Sequence, residues 1–489
     1  MDRTRHRMVR LQQAARWLGP ALGIGGLFID IPEHPAAGAM LGIAAWMAVW
    51  WITECVPLAV TALLPVVLYP LTGVATPRET SATYMSSIMF LFVGGFLLAQ
   101  ALETSGLHRR IALGILRRMH AGPLQLLIAF GLASAGLSMW ISNTATTLLM
   151  VTIGLAVLSR LDAVLTPESM QRLAPALMLM IAYAANIGGM GTPVGTVPNL
   201  VLIENLRTFA PDRAPGFLEW MLVGVPMVAA GLLVLLIVLG LPLRRLPWST
   251  ATADGLEAEW RRLGRMRRPE RLVALVLAAT ALAWLTRTGI RGEGFALPGW
   301  SSLLPPGHRI DDGTVAMIGA LSLFLLPAER NDRRPVLGGE AILRLPWDIL
   351  LLLGGGFALA HGMKVSGLSL WFGEQLAFLD AVPLPLMLLG TALAITFLTE
   401  ITSNTATTQI MLPVLAGVAV SSGTDPAPLL FAATLAASCA FMLPVATPPN
   451  AIVFATHRIP MAAMVSRGLR LNLIMPLLIT ALLLLLQTS

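Results

Sequence analysis

Charged side chains are scarce in this sequence. Asp, Glu, Lys and Arg make up 12% of its 489 residues, against 56% hydrophobic residues. Soluble domains carry about 25% charged residues, so this deficit excludes an ordinary soluble domain. Apolar runs such as 222–241 and 471–487 reach the length of a membrane span. Because lipid cannot satisfy backbone polar groups, we predict that the spans are helices and that the chain is an all-α polytopic membrane protein.

Lysine and cysteine are nearly absent as well. The single lysine is Lys364, while 32 arginines bring the formal net charge to +7. The arginines cluster in loops, which indicates membrane topology and not nucleic-acid binding. Cys55 and Cys439 both fall in apolar segments, so we interpret them as small core residues. Two cysteines exclude a disulfide framework, and no zinc-type spacing is present.

The distribution of arginine also predicts the topology. If the long apolar pieces 122–160 and 383–421 are re-entrant helical hairpins, 26 of the 32 arginines lie on the cytoplasmic side. As full spans they would place the arginine-rich loop 244–271 outside. We therefore predict a cytoplasmic N-terminus with an uncleaved first span, an outside C-terminus and a bacterial inner membrane. The eleven predicted spans lie near 17–31, 38–56, 57–75, 86–107, 173–206, 216–243, 271–289, 313–327, 345–378, 427–456 and 471–487.

The sequence contains an internal repeat. The hexapeptide SNTATT occurs at 142–147 and again at 403–408, and PVGTVPN at 193–199 matches PVATPPN at 444–450. Gly-Gly-Phe and Ser-Gly-Leu precede SNTATT in both halves at the same spacing. Since the two hairpins would open from opposite sides, the repeat is predicted to be inverted, as in secondary transporters. The predicted regions are the N-terminus and first span (1–37), the first repeat (38–243, with broken helix 173–206), a cytoplasmic linker (244–270), and the second repeat (271–489, with broken helix 427–456).

The repeated motifs suit a small anion and a hard cation. A hairpin tip exposes the N-terminus of its second helix, which attracts an anion, and Asn143 and Asn404 can donate amide hydrogens to a carboxylate. Two such tips suit a ligand with two acidic ends. Glycine and proline in IGGMGTP (187–193) and ATPPN (446–450) break a helix within the membrane. The unwound carbonyls and nearby side-chain oxygens would then suit Na⁺.

Few ionisable residues lie in the apolar spans, and each is a functional candidate by position. Glu400, three residues before Ser403, is predicted to tune the second cation site or carry a proton. Glu54 is predicted to hold a helix junction. Lys364 could neutralise an anion or lie near a helix end with its amine directed to water. The full set is Glu54, Glu103, Asp348, His361, Lys364 and Glu400.

With these motifs the chain resembles the divalent anion:sodium symporter family of INDY-type di- and tricarboxylate transporters. The resemblance runs from about residue 38 to the end, and it departs from the family pattern around Ala184 and Val197. It implies eleven spans, two hairpins, a homodimer and an elevator-type movement. The motifs that carry it are the doubled SNTATT, WWITECVPLAVTALLP (50–65), IGGMGT (187–192) and MLPVATPPNAIVF (442–454).

The resemblance also implies site residues. The implied substrate contacts are Asn143, Thr144, Asn404, Thr405, Thr447 and Pro448. The implied ligands of a first Na⁺ are Ser138, Ser142, Asn143 and Gly191, and those of a second Na⁺ are Thr399, Thr402, Asn404 and Ala446. At least two transiently bound Na⁺ ions, a dicarboxylate and membrane lipid are therefore the expected partners.

The resulting hypothesis is Na⁺-coupled uptake of C4-dicarboxylates such as succinate, malate or fumarate. Exchange of one dicarboxylate for another without Na⁺ stays open on the same fold. Citrate or sulfate as the transported anion also stays open. From other classes, an anion channel is an alternative, whereas a membrane enzyme is disfavoured because no catalytic constellation of side chains is visible.

Overall fold

A computed structural model describes residues 2–118, 122–244, 246, 251–292, 295–305, 310–330, 334–376 and 382–487. Within these ranges, seven helical segments are long and apolar enough to cross a membrane, and six shorter apolar helices accompany them. This confirms the prediction of a helical multi-pass membrane protein, while the number of eleven spans stays a prediction. Arg245, Arg309 and Arg333, which entered the arginine count, lie outside the described residues, as does part of the predicted linker 244–270.

Helices form most of the described chain. The first eleven are α1 Asp2–Gly26, α2 Ala37–Thr53, α3 Leu58–Thr61, α4 Leu64–Thr72, α5 Pro77–Tyr84, α6 Ser87–Ser105, α7 Leu107–Leu116, α8 Pro123–Ser138, α9 Asn143–Leu161, α10 Pro167–Gly188 and α11 Val197–Phe209. The others are α12 Phe217–Gly240, α13 Ala251–Arg262, α14 Arg268–Thr286, α15 Asp312–Leu325, α16 Glu340–Leu343, α17 Trp347–Val365, α18 Leu368–Gln375, α19 Leu384–Thr399, α20 Asn404–Ser421, α21 Ala427–Ala437, α22 Pro448–Phe454 and α23 Met461–Gln487. One antiparallel strand pair, β1 Gly289–Gly292 and β2 Phe295–Pro298, precedes α15.

The chain forms two compact units, each assembled from separate stretches of sequence. The first comprises the chain up to Met89, Leu200–Ala214 and Pro346–Ala437. The second comprises Phe90–Asn199, Pro215–Leu345 and the chain from Ser438 onward. The first hairpin and both interrupted segments around 189–196 and 438–447 therefore belong to the second unit, whereas the second hairpin belongs to the first unit.

Each unit has its own apolar core. In the first unit, α2, α4 and α17 meet, and the buried Tyr69 hydroxyl donates to the carbonyl oxygen of Ala358 at 2.9 Å. In the second unit, the core is α10, which is buried along nearly its whole length. A buried helix needs apolar residues on every face, which accounts for the uninterrupted apolar run at 173–185.

Both predicted hairpins consist of two helices separated by a four-residue turn. The segment predicted at 122–160 forms α8 and α9 around residues 139–142, and the segment predicted at 383–421 forms α19 and α20 around residues 400–403. The two predicted broken helices are interrupted as well. A 3₁₀ turn at Gly189–Gly191 follows α10, and ten residues without regular helix separate α21 from α22. The structure thus has helix breaks at the polar and Gly/Pro motifs, while the re-entrant hairpins and the inverted repeat stay predictions.

Two predicted spans are shorter or more broken than expected. The span at 57–75 is split into α3 and α4, because Pro65 has no N–H with which to continue the helix. The span at 345–378 is split into α17 and α18 by a turn at Gly367. Hydropathy alone does not reveal such breaks, because the residues at the turns are themselves small or apolar.

The repeated Ser-Gly-Leu landmark is a helix-to-helix turn in both halves. Gly106 between α6 and α7 has φ of 81°, and Gly367 between α17 and α18 has φ of 77°. This left-handed conformation favours glycine because it has no Cβ. The preceding serine hydroxyl accepts the N–H of the following leucine, at 3.4 Å in the first half and 3.3 Å in the second. The landmark therefore encodes a turn and not a ligand site.

A buried ion pair joins α7 to the start of α14 in the second unit. The Arg110 guanidinium lies 3.1 Å from the Glu270 carboxylate, and their side chains are only 10% and 3% exposed. Arg110 also donates to the carbonyl oxygen of Gly264 at 3.0 Å. The nearby Arg267 donates to the carbonyl oxygen of Ser105 at 2.9 Å. This hydrogen bond connects the loop before α14 to the end of α6.

Candidate functional site

The first hairpin tip brings together three of the predicted cation ligands. Helix α8 ends at Ser138, and its hydroxyl lies 2.6 Å from Oδ1 of Asn143, the first residue of α9. Ser142 caps α9 by accepting the N–H of Ala145 at 3.2 Å. Serine is a preferred cap because its oxygen satisfies an N–H that the helix leaves free. Thr144, a predicted substrate contact, is half-buried in the first turn of the same helix.

The first helix interruption packs directly against this tip. An ideal Cβ built on Gly189 would lie 2.7 Å from Asn143 Oδ1, so a side chain there would displace either Asn143 or the interruption. A Cβ on Gly191 would likewise lie 2.8 Å from the Met139 side chain. The Thr192 hydroxyl donates to the carbonyl oxygen of Met139 at 2.6 Å. The predicted ligand Gly191 therefore lies beside the turn that carries the other members of its set.

The second hairpin tip, in the first compact unit, repeats this geometry. The buried Thr399 hydroxyl lies 2.6 Å from Oδ1 of Asn404 and 3.2 Å from the carbonyl oxygen of Ala437. Thr402 lies in the same turn, with its hydroxyl 2.6 Å from that of Thr407. Three predicted ligands thus lie at this tip: Thr402 within the turn, and Thr399 and Asn404 on either side of it. Thr405 follows Asn404 and is half-buried.

The remaining predicted residues lie in the second interruption, within the second compact unit. The Thr447 hydroxyl accepts the N–H of Asn450 at 3.3 Å and the side-chain amide of Asn186 at 3.2 Å. Ala446 precedes it and donates its own N–H to the carbonyl oxygen of Leu443 at 3.2 Å. Pro448 opens α22, where its missing N–H costs nothing. The second predicted cation set is thus divided, with Ala446 in one unit and its other three members in the other.

Three buried asparagines were not predicted as functional from the sequence. Asn199 and Asn450 had served only as landmarks of the repeat, and Asn186 only as part of a departure from the family pattern. Each is at most 2% exposed and hydrogen-bonded to an interrupted segment of the second unit. The sequence signal that could have identified two of them is that Asn199 and Asn450 occupy equivalent positions of the repeat.

The ionisable residues predicted as functional occupy different positions in the fold. Across the described ranges, no group of three or more His, Cys, Asp or Glu side chains could hold a metal ion. Lys364 lies in the last turn of α17 and donates to the carbonyl oxygen of Thr208, as expected for a lysine near a helix end. Glu54 ends α2 in a left-handed conformation, as expected for a helix junction. Glu400 is buried at the end of α19, and its predicted role stays a prediction.

The predicted cation ligands at the two tips offer hydroxyl, amide and backbone carbonyl oxygens. Hard oxygen ligands of this kind suit alkali and alkaline-earth cations. Asn143 Oδ1 and the Ser138 hydroxyl lie close enough to contact one ion together. Among the described residues, neither Asn143 Nδ2 nor Asn404 Nδ2 has a hydrogen-bond acceptor. Each tip thus combines a pair of oxygens that can face a cation with an amide nitrogen that can donate to an anion.

Comparison with known proteins identifies relatives over almost the whole chain. A family model described as the sodium:sulfate symporter transmembrane region matches residues 27–487. A protein of Staphylococcus saprophyticus named sodium-dependent dicarboxylate transporter SdcS is 38% identical over 470 residues, covering 94% of this chain and 88% of that protein. The SdcS protein of Staphylococcus aureus is 38% identical over 476 residues with the same coverage. The solved structure of the Alcanivorax borkumensis YdaH transporter is similar in fold, with a TM-score of 0.57 at 16% identity over 92% of this chain and 98% of that one.

Proposed function

The chain belongs to the sodium:sulfate symporter transmembrane family, whose members are transporters and not enzymes, and we propose that it carries a C4-dicarboxylate together with Na⁺. Succinate, malate and fumarate are the proposed substrates. The names of the SdcS relatives support a dicarboxylate and a sodium dependence. The chemistry of the two hairpin tips supports the same assignment from this chain's own residues.

The observation that carries the proposal is the pairing of a hydroxyl with an asparagine oxygen at both tips. Ser138 and Asn143 form one pair, and Thr399 and Asn404 form the other, each with 2.6 Å between the two oxygens. A hydroxyl donates its hydrogen to the amide oxygen when no cation is bound. A cation contacting both oxygens replaces this hydrogen bond, and the hydroxyl then turns its lone pairs toward the ion.

Cation binding at a tip would prepare it for the anion. With the cation on Oδ1, the amide nitrogen of Asn143 or Asn404 directs its two hydrogens away from the ion and toward a carboxylate. The positive charge of the cation and the exposed N-terminus of the following helix attract the same carboxylate. Each ligand therefore tightens the binding of the other, and this reciprocal coupling is what symport requires.

Uptake of radiolabelled succinate into proteoliposomes tests the proposal. With an inward Na⁺ gradient, we expect saturable uptake that stops when choline replaces Na⁺. Equal uptake in choline medium would refute symport. Succinate counterflow without Na⁺ would instead establish the exchange mode, and non-saturable flux would indicate a channel.

Sulfate is the second candidate substrate, because the matching family is described by sodium:sulfate symport. A tetrahedral dianion carries its charge on one centre, whereas succinate separates two carboxylates along a chain. A side-chain amide such as that of Asn143 or Asn404 matches a single carboxylate group, which favours the dicarboxylate. Unlabelled succinate, malate, fumarate, citrate and sulfate should be compared as competitors at equal concentration, and we expect the C4-dicarboxylates to compete best.

Other features of the proposal concern assembly and movement. A homodimer, an elevator-type movement, at least two Na⁺ ions per cycle and the orientation of the termini all stay predictions. The oligomeric state can be measured by light scattering of the purified protein in detergent. The orientation can be measured by accessibility of single cysteines placed at the two termini, after Cys55 and Cys439 are replaced.

A further inference from the structure

Asn199, in the first turn of α11, bridges two carbonyl oxygens of the first helix interruption. Its side-chain nitrogen lies 2.9 Å from the carbonyl oxygen of Gly189 and 2.7 Å from that of Thr192. Asn199 is fully buried. Gly189 is the first residue of the 3₁₀ turn that replaces the helix at this point, and Thr192 directly follows that turn. One uncharged side chain therefore connects two backbone carbonyls of the interruption, of which that of Thr192 also accepts the N–H of Gly195.

Asn450 makes the same bridge at the second interruption. Its side-chain nitrogen lies 2.9 Å from the carbonyl oxygen of Ala440 and 3.1 Å from that of Leu443. In both halves the acceptors are ten and seven residues before the asparagine. The bridge thus recurs in both repeats, as the hydroxyl–asparagine pairs at the tips do.

The chemistry of Asn199 shows that its nitrogen is the functional atom. Both bridged groups are acceptors, so only the amide nitrogen can face them, and this fixes the orientation of the side chain. In the part of the chain that the structure describes, its oxygen Oδ1 is buried and accepts no hydrogen bond. An unsatisfied buried oxygen is unfavourable. Asparagine at this position is therefore explained by the two bonds that its nitrogen donates.

The bridged residues are those that contact the first hairpin tip. Gly189 packs against Asn143 Oδ1, and Thr192 donates to the carbonyl oxygen of Met139. We infer that Asn199 is a positioning residue for cation binding, because it holds the first interruption in the shape that the first tip requires. Asn450 holds the shape of the second interruption by the equivalent pair of hydrogen bonds. This inference rests on the proposed sodium coupling.

The test compares two asparagines on one helix. Asn205, also buried in α11, donates only to the carbonyl oxygen of Val201 in its own helix, at 2.8 Å. Purified full-length protein is reconstituted, and the Na⁺ concentration for half-maximal succinate uptake is measured at saturating succinate. For Asn199→Ala we expect this Na⁺ concentration to rise by about tenfold, because two hydrogen bonds are lost. The succinate KM at saturating Na⁺ should change less than about twofold, and Asn205→Ala should match the wild type.

A second variant provides the test if Asn199→Ala does not insert into the membrane. Asn199→Asp places a carboxyl oxygen opposite the two carbonyls, and a protonated carboxyl can donate one of the two hydrogen bonds. Relative to wild type at each pH, its Na⁺ requirement should fall as pH is lowered from about 8 to about 6.

The outcomes separate this inference from the proposed function. Wild-type uptake without Na⁺ would refute the proposed coupling, and the inference with it. Na⁺-dependent wild-type uptake with an unshifted Na⁺ requirement in Asn199→Ala would overturn the inference alone. An equal shift in Asn205→Ala would overturn it as well, since that residue does not touch the interruption. If only Asn199→Asp inserts, a requirement that does not vary with pH relative to wild type would overturn it.

Discussion

The hydroxyl oxygen of Thr399 lies 2.6 Å from Oδ1 of Asn404, five residues later and across the tip of the second hairpin. Ser138 and Asn143 stand in the same relationship, at the same distance, at the first tip. The two hairpins differ in sequence outside SNTATT, yet both place a hydroxyl oxygen next to an asparagine oxygen. That arrangement uses serine in one half and threonine in the other, so the hydroxyl is the common requirement.

The hydroxyls can be removed with little change of shape. In Ser138→Ala and Thr399→Val, one of the two paired oxygens is lost, so we expect the Na⁺ concentration for half-maximal uptake to rise about tenfold. Ser322→Ala is a matched control, because the Ser322 hydroxyl bonds only to Gly319 in its own helix. Initial uptake rates over a Na⁺ series provide the measurement. An unchanged Na⁺ requirement in both tip variants would contradict the proposed cation contacts.

The asparagines of the tips should be indispensable. Each of Asn143→Ala and Asn404→Ala removes the oxygen that pairs with the hydroxyl and the nitrogen left open for an anion. We expect succinate uptake to fall at least about a hundredfold, since two interactions are lost at once. The amount of protein in the membrane should stay at the wild-type level. Arg261→Ala, at a mostly exposed side chain, should transport normally. Wild-type uptake by either tip variant would contradict the proposed role of that tip.

The approach of Gly189 to the first tip leaves no room for a side chain. A Cβ in Gly189→Ala would lie 2.7 Å from Asn143 Oδ1, so either the interruption or the tip has to move. We expect uptake below about a tenth of wild type, as a displacement near 1 Å at a binding site has large effects. Gly136→Ala is the control, because nothing lies within 4 Å of its added carbon. Equal initial rates for the two variants would show that the tip tolerates displacement.

The ion pair between Arg110 and Glu270 should contribute to stability. Arg110→Ala leaves a buried carboxylate without its partner, a loss of about 3–5 kcal/mol in comparable pairs. Arg262→Ala breaks an exposed pair with Glu259 and should cost no more than about 1 kcal/mol. The temperature at which each variant loses its monodisperse peak in detergent ranks the stabilities of the two variants. If both variants lose that peak at the same temperature, the buried pair is not a principal support of α7 and α14.

The helix breaks at the repeated motifs have local signals in the sequence. SNTATT is polar within an apolar run, and glycine and proline stop a helix wherever they fall. The resemblance to a known family implied that Ser138 and Asn143 belong to one ligand set, but it did not predict the hydrogen bond between them. The bridging role of Asn199 could not be predicted in this way, because its acceptors lie seven and ten residues upstream in backbone that follows no periodic pattern.

The lengths of some spans could not be predicted either. Hydropathy averages over many residues, so the segment at 345–378 looks continuous although Gly367 turns the chain with a positive φ. The matching turn at Gly106 shows that the signal was present in the repeat. A shared Ser-Gly-Leu in equivalent positions indicates a shared backbone shape. That this shape is a turn becomes clear only once the dihedral angles are known.

Lys364 has a practical consequence for experiments on this protein. It is the only lysine in the sequence, and its side chain is exposed at the end of α17. Amine-directed dyes will therefore attach at this position and at the N-terminus alone. Replacing Lys364 with arginine and comparing labelled samples separates the two signals, so fluorescence changes during turnover can be assigned without engineered cysteines.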